Sequence, residues 1–357
     1  MHPRDLSAHP RYEAGGGIEE VARELGRDPE EFLALASNEN PLGPSLAAVE
    51  AIRDAAEEVH AYPKAVHADL TRAIADGWSV ENDQVWLANG GDGALDYLAR
   101  AMLEPEDRVL VPEPGFAYYD MSARFHHGGV ATYDLSKAND FDQTPETVLS
   151  AYGGERIVYV TTPHNPTGSE MALDDIETVA NETNDETLIV VDEAYGEFTE
   201  APSARNLLDG RDDVAVIRTF SKAYGLAGLR LGYALVPEAW ADTYGKVTTP
   251  FSVSALACRA GLAALGDLDH VDRSVETARQ GRDYIHDNVR APTYESGGNF
   301  VLVEVGDGSE VAAALKRRGI LVRDTTSFGL PSCVRITCGT ESETRTAVSE
   351  LNGVLAE

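Results

Sequence analysis

Along most of the chain, short and almost wholly apolar runs alternate with longer stretches in which apolar residues recur every three or four positions. The runs are Val85-Trp86-Leu87, Val109-Leu110-Val111, Ile157-Val158-Tyr159-Val160, Leu188-Ile189-Val190-Val191, Val214-Ala215-Val216-Ile217 and Leu231-Gly232-Tyr233-Ala234. A strand that is apolar on both faces has no solvent side, so these runs predict a mostly parallel sheet lying between helices. A helical pattern then spans 254 to about 288. It is followed by Phe300-Val301-Leu302-Val303, a helix near 311–318, Ile320-Leu321-Val322 and Cys333-Val334-Arg335-Ile336-Thr337. That tail predicts a small α+β unit. Residues 1–36 read as a polar arm, broken by Gly15-Gly16-Gly17 ahead of a short helical pattern from Ile18 to Leu25. The expected class is α/β. The expected units are an arm over 1–36 that joins the small domain, a large domain over 37–249 and a small C-terminal domain over 250–357.

Composition supports more than one unit and narrows the partners. At 357 residues the chain exceeds the roughly 250–300 at which a single core stops growing. It carries 60 Asp and Glu against 29 Lys and Arg, a formal net charge of -31. Such a field repels phosphate backbones and anionic lipid, which argues against a nucleic-acid or membrane-surface role. Only five of the bases are lysine: Lys64, Lys137, Lys222, Lys246 and Lys316. Many carboxylates with so little lysine resembles the composition of halophilic proteins, whose hydrated acidic surface stays soluble in concentrated salt. Three cysteines without a C-x-x-C pair fit a reduced, cytoplasmic setting. The opening Met1-His2-Pro3-Arg4-Asp5 lacks the apolar core of a signal peptide, and no apolar run approaches the about 18 residues of a membrane span.

Several common chemistries are absent from the sequence. There is no G-x-x-x-x-G-K-[ST], no G-x-S-x-G and no H-E-x-x-H, and Gly90-Gly91-Asp92-Gly93 does not fit G-x-G-x-x-G. Cys333 and Cys338 read as core thiols rather than metal ligands, and His126-His127 as a solvated loop. What remains is a set of polar residues placed just after apolar strands, where open α/β sheets bind ligands.

Lys222, in Arg218-Thr219-Phe220-Ser221-Lys222-Ala223-Tyr224-Gly225, follows one strand among small neighbours. Low polarity favours a neutral amine able to attack a carbonyl, and Arg230 eight residues on supplies a fixed cation. The plain alternative is a surface lysine at a helix start. Asp192, after Leu188-Ile189-Val190-Val191, is a carboxylate at the end of a buried strand and needs a partner. A protonated pyridine nitrogen is one such partner, and Tyr195 lies within reach of the ring's 3-hydroxyl. Taken alone, Asp192 reads better as an N-cap for the following turn. Asn165, in Thr161-Thr162-Pro163-His164-Asn165-Pro166-Thr167-Gly168, sits in a proline-fixed loop and can bond a ring oxygen without adding charge. Asn89-Gly90-Gly91-Asp92-Gly93 opens a helix expected to start near Ala94, and exposed N–H groups there cradle phosphate. Together these pieces describe an aldehyde cofactor with a phosphate tail.

At these residues the sequence resembles the pyridoxal-phosphate aminotransferases of fold type I, classes I/II, and within them the histidinol-phosphate aminotransferase family most closely. The resemblance spans essentially the whole chain. It is carried by Ala36-Ser37-Asn38-Glu39-Asn40-Pro41-Leu42-Gly43-Pro44, Asn165-Pro166-Thr167-Gly168, Val191-Asp192-Glu193-Ala194-Tyr195, Arg218-Thr219-Phe220-Ser221-Lys222, Gly298-Asn299-Phe300 and Val334-Arg335-Ile336-Thr337. It implies that Lys222 binds pyridoxal 5′-phosphate covalently and moves the substrate proton, and that Asp192 pairs with the pyridine nitrogen. It also implies that Asn165 and Tyr195 hold the 3-oxygen, with Phe116 stacked on the ring. Gly91, Asp92, Ser221 and Arg230 would carry the phosphate, joined by Tyr62 from the other subunit of a homodimer. Arg323 and Arg335 would bind the substrate's anionic end, with Asn40 and Tyr12 of the arm beside them. The arm departs from the family pattern, reading Tyr12-Glu13-Ala14-Gly15-Gly16-Gly17 without the usual proline and lysine. The implied reaction passes an amino group between L-histidinol phosphate and 2-oxoglutarate. An aromatic or broad-range amino acid aminotransferase and a threonine-phosphate decarboxylase are the alternatives.

Overall fold

A computed structural model describes residues 17–357 together with His2, Leu6, Ser7 and His9; Lys64, Ala65 and Val66 are described by their backbone alone. Tyr12 therefore lies outside the described residues. Among these, twelve strands occur in chain order: β1 (Leu33–Leu35), β2 (Val85–Ala88), β3 (Arg108–Glu113), β4 (Gly129–Asp134), β5 (Ile157–Thr161), β6 (Leu188–Asp192), β7 (Val214–Thr219), β8 (Gly232–Leu235), β9 (Thr293–Tyr294), β10 (Phe300–Glu304), β11 (Ile320–Asp324) and β12 (Cys333–Thr337).

Seven strands form one sheet in the order β2-β8-β7-β6-β5-β3-β4, in which β8 alone runs against its neighbours. The apolar runs occupy its centre because both faces are covered. Val158, Val160, Ile189, Val191 and Val216 feed the core on one face. Ile157, Tyr159, Val190, Ala215 and Ile217 feed the core on the other. Each such side chain removed from water contributes about 1.5–3 kcal/mol, so the sheet centre is the rigid part of the molecule. Since β2 and β7 both pair antiparallel to β8, they point the same way. The C-terminal ends of β2, β3, β5, β6 and β7 therefore share one edge.

The second sheet has the order β1-β11-β12-β10-β9, with β1 parallel to β11 and the rest antiparallel. Its helices Leu268–Asn288 and Glu341–Val354 bury Ala278, Ile285, Val348 and Leu351 against Phe300, Val301 and Ile336. The arm thus sends a strand, β1, into this sheet. The helical pattern from 254 to 288 is two helices, Ala255–Leu265 and Leu268–Asn288, separated at Gly266-Asp267 where the Asp267 carboxylate accepts the His270 N–H. Ala257, Cys258, Ala260 and Ala264 of the first helix belong to the seven-stranded sheet's core. The second helix packs Val271, Ala278 and Ile285 with the second sheet. Cys258, Cys333 and Cys338 are all buried free thiols. His126, read from sequence as a loop residue, instead caps the end of helix Tyr118–Phe125 and pairs with Asp96 at 3.1 Å.

Behind the shared edge lies a buried ionic cluster. Arg218 on β7 pairs with Glu193 and Glu197, each at 2.7 Å, under the Trp78 ring at 4.9 Å. The Ser203 hydroxyl and Ala204 N–H also donate to Glu193. Burial opposes the charge on Arg218, yet the two carboxylates hold its guanidinium protonated. Removing one member leaves the others charged, buried and unpaired. Arg218→Met is therefore expected to cost about 3–5 kcal/mol of unfolding free energy, read from denaturant melts beside the parent chain.

Candidate active site

The shared strand edge and the second sheet enclose a cavity of about 480 Å³. Its floor comes from the large sheet. Asp192 ends β6 with 6% of its surface exposed. Its Oδ1 accepts the Ala194 N–H at 3.0 Å, so the N-cap-like turn seen in the sequence is present, and its Oδ2 accepts the Tyr119 hydroxyl at 2.7 Å. Burial pushes the carboxyl up to about 6, and the Tyr119 and Ala194 hydrogen bonds pull it back toward the ionised form. A buried carboxylate with both oxygens already engaged and a lone pair turned to a cavity is suited to a cationic N–H.

Lys222 reaches the cavity from the loop after β7. Its Nζ donates to the Ser37 carbonyl at 3.3 Å and stands 5.5 Å from the Tyr195 ring centre. The hydroxyl of Tyr195 accepts the Asn38 Nδ2–H at 2.9 Å, which leaves its own proton available to donate. Asn165 arrives from the loop after β5. Its Oδ1 accepts from Arg335 Nη1, so its amide N–H groups are the ones left for a ligand oxygen. Phe116 follows β3 and lines the same space, edge-on to Tyr119 with ring centres 5.6 Å apart.

At one end of the cavity the helix Gly90–Met102 begins, four residues earlier than the sequence pattern indicates, and its N-cap Asn89 supplies no side-chain bond. The first N–H groups of a helix have no partner within it, so Gly91 and Asp92 present donors at the positive end of the dipole. Arg230 lies over this turn, held by Asp92 at 3.0 Å and by the Ala227 carbonyl at 3.0 Å. Gly90 has φ 74°, and a Cβ there would stand 2.5 Å from Arg230 Nη2, so only glycine keeps the guanidinium close to the helix start. Ser221 adds a hydroxyl. Backbone N–H groups, a hydroxyl and a guanidinium make an anion cradle.

The opposite wall belongs to the second sheet. Arg323 on β11 and Arg335 on β12 are register partners. Arg335 donates to the Ala36 carbonyl at 2.8 Å, Arg323 to the Ser327 hydroxyl at 3.1 Å, and Phe328 lies within 6 Å of both guanidinium groups. Like charges directly opposite one another on a sheet are unfavourable unless an anion joins them. The cavity thus has two anion sites, with a lysine, an acid and two ring-oxygen donors between them. The set fits pyridoxal phosphate: cradle for phosphate, acid for ring nitrogen, Tyr195 and Asn165 for ring oxygen, Phe116 for a ring face.

Comparison with known proteins agrees with this geometry. The model of the family "Aminotransferase class I and II" matches residues 30–351. The chain belongs to that family. A protein of Haloarcula marismortui named histidinol-phosphate aminotransferase is 65% identical over 357 residues, covering 100% of this chain and 99% of the relative. One of the same name from Natronomonas pharaonis is 64% identical, covering 99% and 100%. The crystal structure of histidinol-phosphate aminotransferase from Sinorhizobium meliloti in complex with pyridoxal-5′-phosphate superposes with TM-score 0.87 at 27% identity, covering 99% of this chain and 97% of that one.

Of the residues expected in this aminotransferase site, the cavity brings together Lys222, Asp192, Tyr195, Asn165, Phe116, Gly91, Asp92, Ser221, Arg230, Arg323 and Arg335. Asn40 is not among them. Its amide donates to the Ala223 carbonyl and the Ser274 hydroxyl, each at 2.8 Å, so it ties loop to helix while Asn38 and Glu39 reach the cavity. Tyr62 is 72% exposed and stacks on Phe251 at 4.4 Å, outside the cavity. The sequence reading missed Asn38, Tyr119 and Thr161.

Proposed function

We propose that this aminotransferase passes an amino group between L-histidinol phosphate and 2-oxoglutarate, with pyridoxal 5′-phosphate as cofactor, as a step of histidine biosynthesis. The observation that carries the reading is the facing pair Arg323 and Arg335 at the end of a cavity that already holds a separate phosphate cradle. Two guanidinium groups suit a dianionic phosphate on the donor and a distal carboxylate on the acceptor. The full-length relatives of the same name support the choice of donor.

When bound, the cofactor supplies a carbonyl for the amino group and a ring that takes up the electron pair left at the substrate Cα. Asp192 holds a proton on the ring nitrogen by remaining ionised beside it. The N–H groups of Asn165 and the hydroxyl of Tyr195 would hold the ring oxygen, and Phe116 would pack on a face of the ring. Lys222 Nζ removes the proton from the substrate Cα and returns it on the cofactor side, acting as general base and then acid. Arg323 and Arg335 anchor the anionic end so that the Cα–H faces that amine.

The outward position of Tyr62 beside Phe251 supports a homodimer in which each Tyr62 reaches the partner's phosphate cradle. Halophilic homologues and the excess of 60 acids over 29 bases support a salt-adapted enzyme of the cytoplasm. Among the described residues no helix is long and apolar enough to cross a membrane. Supplying L-histidinol phosphate should yield glutamate only when 2-oxoglutarate is present. Carbon dioxide release from L-threonine phosphate without a keto acid would instead assign a decarboxylase.

A further inference from the structure

Tyr119 takes no part in the steps described above, yet it is built tightly into the floor of the site. It is 1% exposed. Its ring is stacked on Tyr159, centres 4.7 Å apart and planes 12° apart, and meets Phe116 edge-on at 88°. Its hydroxyl donates to Asp192 Oδ2 at 2.7 Å and stands 2.8 Å from Thr161 Oγ1. Thr161 is the register partner of Asp192 across β5 and β6. Because a carboxylate can only accept, the Tyr119 proton goes to Asp192 and the Thr161 hydroxyl donates to Tyr119. Burial, and then the Asp192 charge, keep Tyr119 protonated over the whole working range.

We propose that Tyr119 is a positioning residue for the cofactor: its hydroxyl, backed by Thr161, fixes the Asp192 carboxylate and keeps it ionised against the ring nitrogen. This rests on the reading that Asp192 faces that nitrogen. The need for such a donor is visible in the surroundings. Asp92 from the helix at the phosphate cradle and Glu193 next in the chain both oppose a charge on Asp192, and burial opposes it more strongly. The cations on the cavity wall, Lys222 and Arg230, are engaged by Ser37 and by Asp92 with Ala227. Tyr119 is the side-chain donor the structure gives the carboxylate. Its edge contact with Phe116 also couples the ring-stacking residue to the ring-nitrogen acid, so one aromatic side chain sets two cofactor contacts.

The test is cofactor binding rather than turnover. Full-length chain freed of cofactor is titrated with pyridoxal 5′-phosphate across pH for the parent, Tyr119→Phe, Tyr159→Phe and Asp192→Asn. A lost hydrogen bond to a charged group predicts about tenfold weaker binding in Tyr119→Phe at neutral pH and an acid limb moved up by about one pH unit. The direction follows because, without the donor, Asp192 takes up its proton at higher pH. Tyr159→Phe keeps the stack and should bind as the parent does. A parent-like Tyr119→Phe, or an equal loss in Tyr159→Phe, overturns the proposal. Unchanged binding in Asp192→Asn would instead overturn the underlying placement of Asp192.

Discussion

Replacing Lys222 by alanine should abolish amino transfer, lowering turnover by about 10⁴-fold or more, because one side chain holds the cofactor and moves the Cα proton. Nothing nearby replaces it. Among the described side chains no other lysine lines the cavity. Lys137 is engaged with Glu304 and Ser332, and Lys316 with Glu24. The variant should still bind pyridoxal phosphate weakly through the phosphate cradle, since Arg230, Ser221 and the helix start are untouched. Borohydride treatment followed by denaturation should leave cofactor attached to the parent and none to Lys222→Ala. Retained covalent cofactor in the variant would remove Lys222 from the assigned role.

The second large effect concerns the facing arginines, whose two variants should fail differently. Arg323 donates to the Ser327 hydroxyl and stands 5.4 Å from the Phe328 ring centre, neither of them a residue proposed to hold the cofactor. Arg323→Met is expected to raise KM for a phosphorylated donor on the order of 100-fold, with a modest change in kcat, since charge-assisted bonds to phosphate are lost from ground and transition state alike. Arg335 also donates to Asn165 and to the Ala36 carbonyl. Arg335→Met should therefore raise KM and lower kcat together, because Asn165 loses the partner that turns its N–H groups toward the ring oxygen. Steady-state kinetics with donor and keto acid varied separately distinguishes the two patterns. Identical behaviour of the two variants would contradict the division of labour.

The strands were legible where burial on both faces removed any need for polar residues, as in β5, β6 and β7. Strand β4, Gly129–Asp134, was not, because it lies at the sheet edge and only Tyr133 of its six residues is buried. β1 is three residues long and borrows its stability from β11, so nothing in its local pattern marks it. The break between the helices Ala255–Leu265 and Leu268–Asn288 was hidden because Gly266 and Asp267 are tolerated within a helical pattern. It becomes a break where the first helix packs on one core and the second on the other.

The site divides the same way. Lys222, Asp192 and Asn165 were readable because a polar residue straight after a fully apolar strand has few other reasons to be there. Tyr119 was hidden because an aromatic at the start of a helix looks like core, and its hydroxyl matters only through Asp192, which is 73 residues away in sequence. Asn38 rather than Asn40 lines the cavity for a backbone reason. Asn38 has φ 53°, a left-handed turn that breaks the alternation of an extended segment and sends Asn40 to Ala223 and Ser274.

The acidic chain with few lysines reads consistently once the cavity is in view. The chain carries a net charge of -31, while among the described residues the cations that line the cavity are Lys222, Arg230, Arg323 and Arg335, each held by a named partner. The account centres on the claim that these cations are arranged for a phosphorylated amino donor. The most direct measurement is a donor panel with 2-oxoglutarate, comparing kcat/KM for L-histidinol phosphate, phenylalanine, tyrosine and threonine phosphate. L-Histidinol phosphate should be the best donor; higher kcat/KM for phenylalanine or tyrosine would contradict the claim and assign an aromatic aminotransferase.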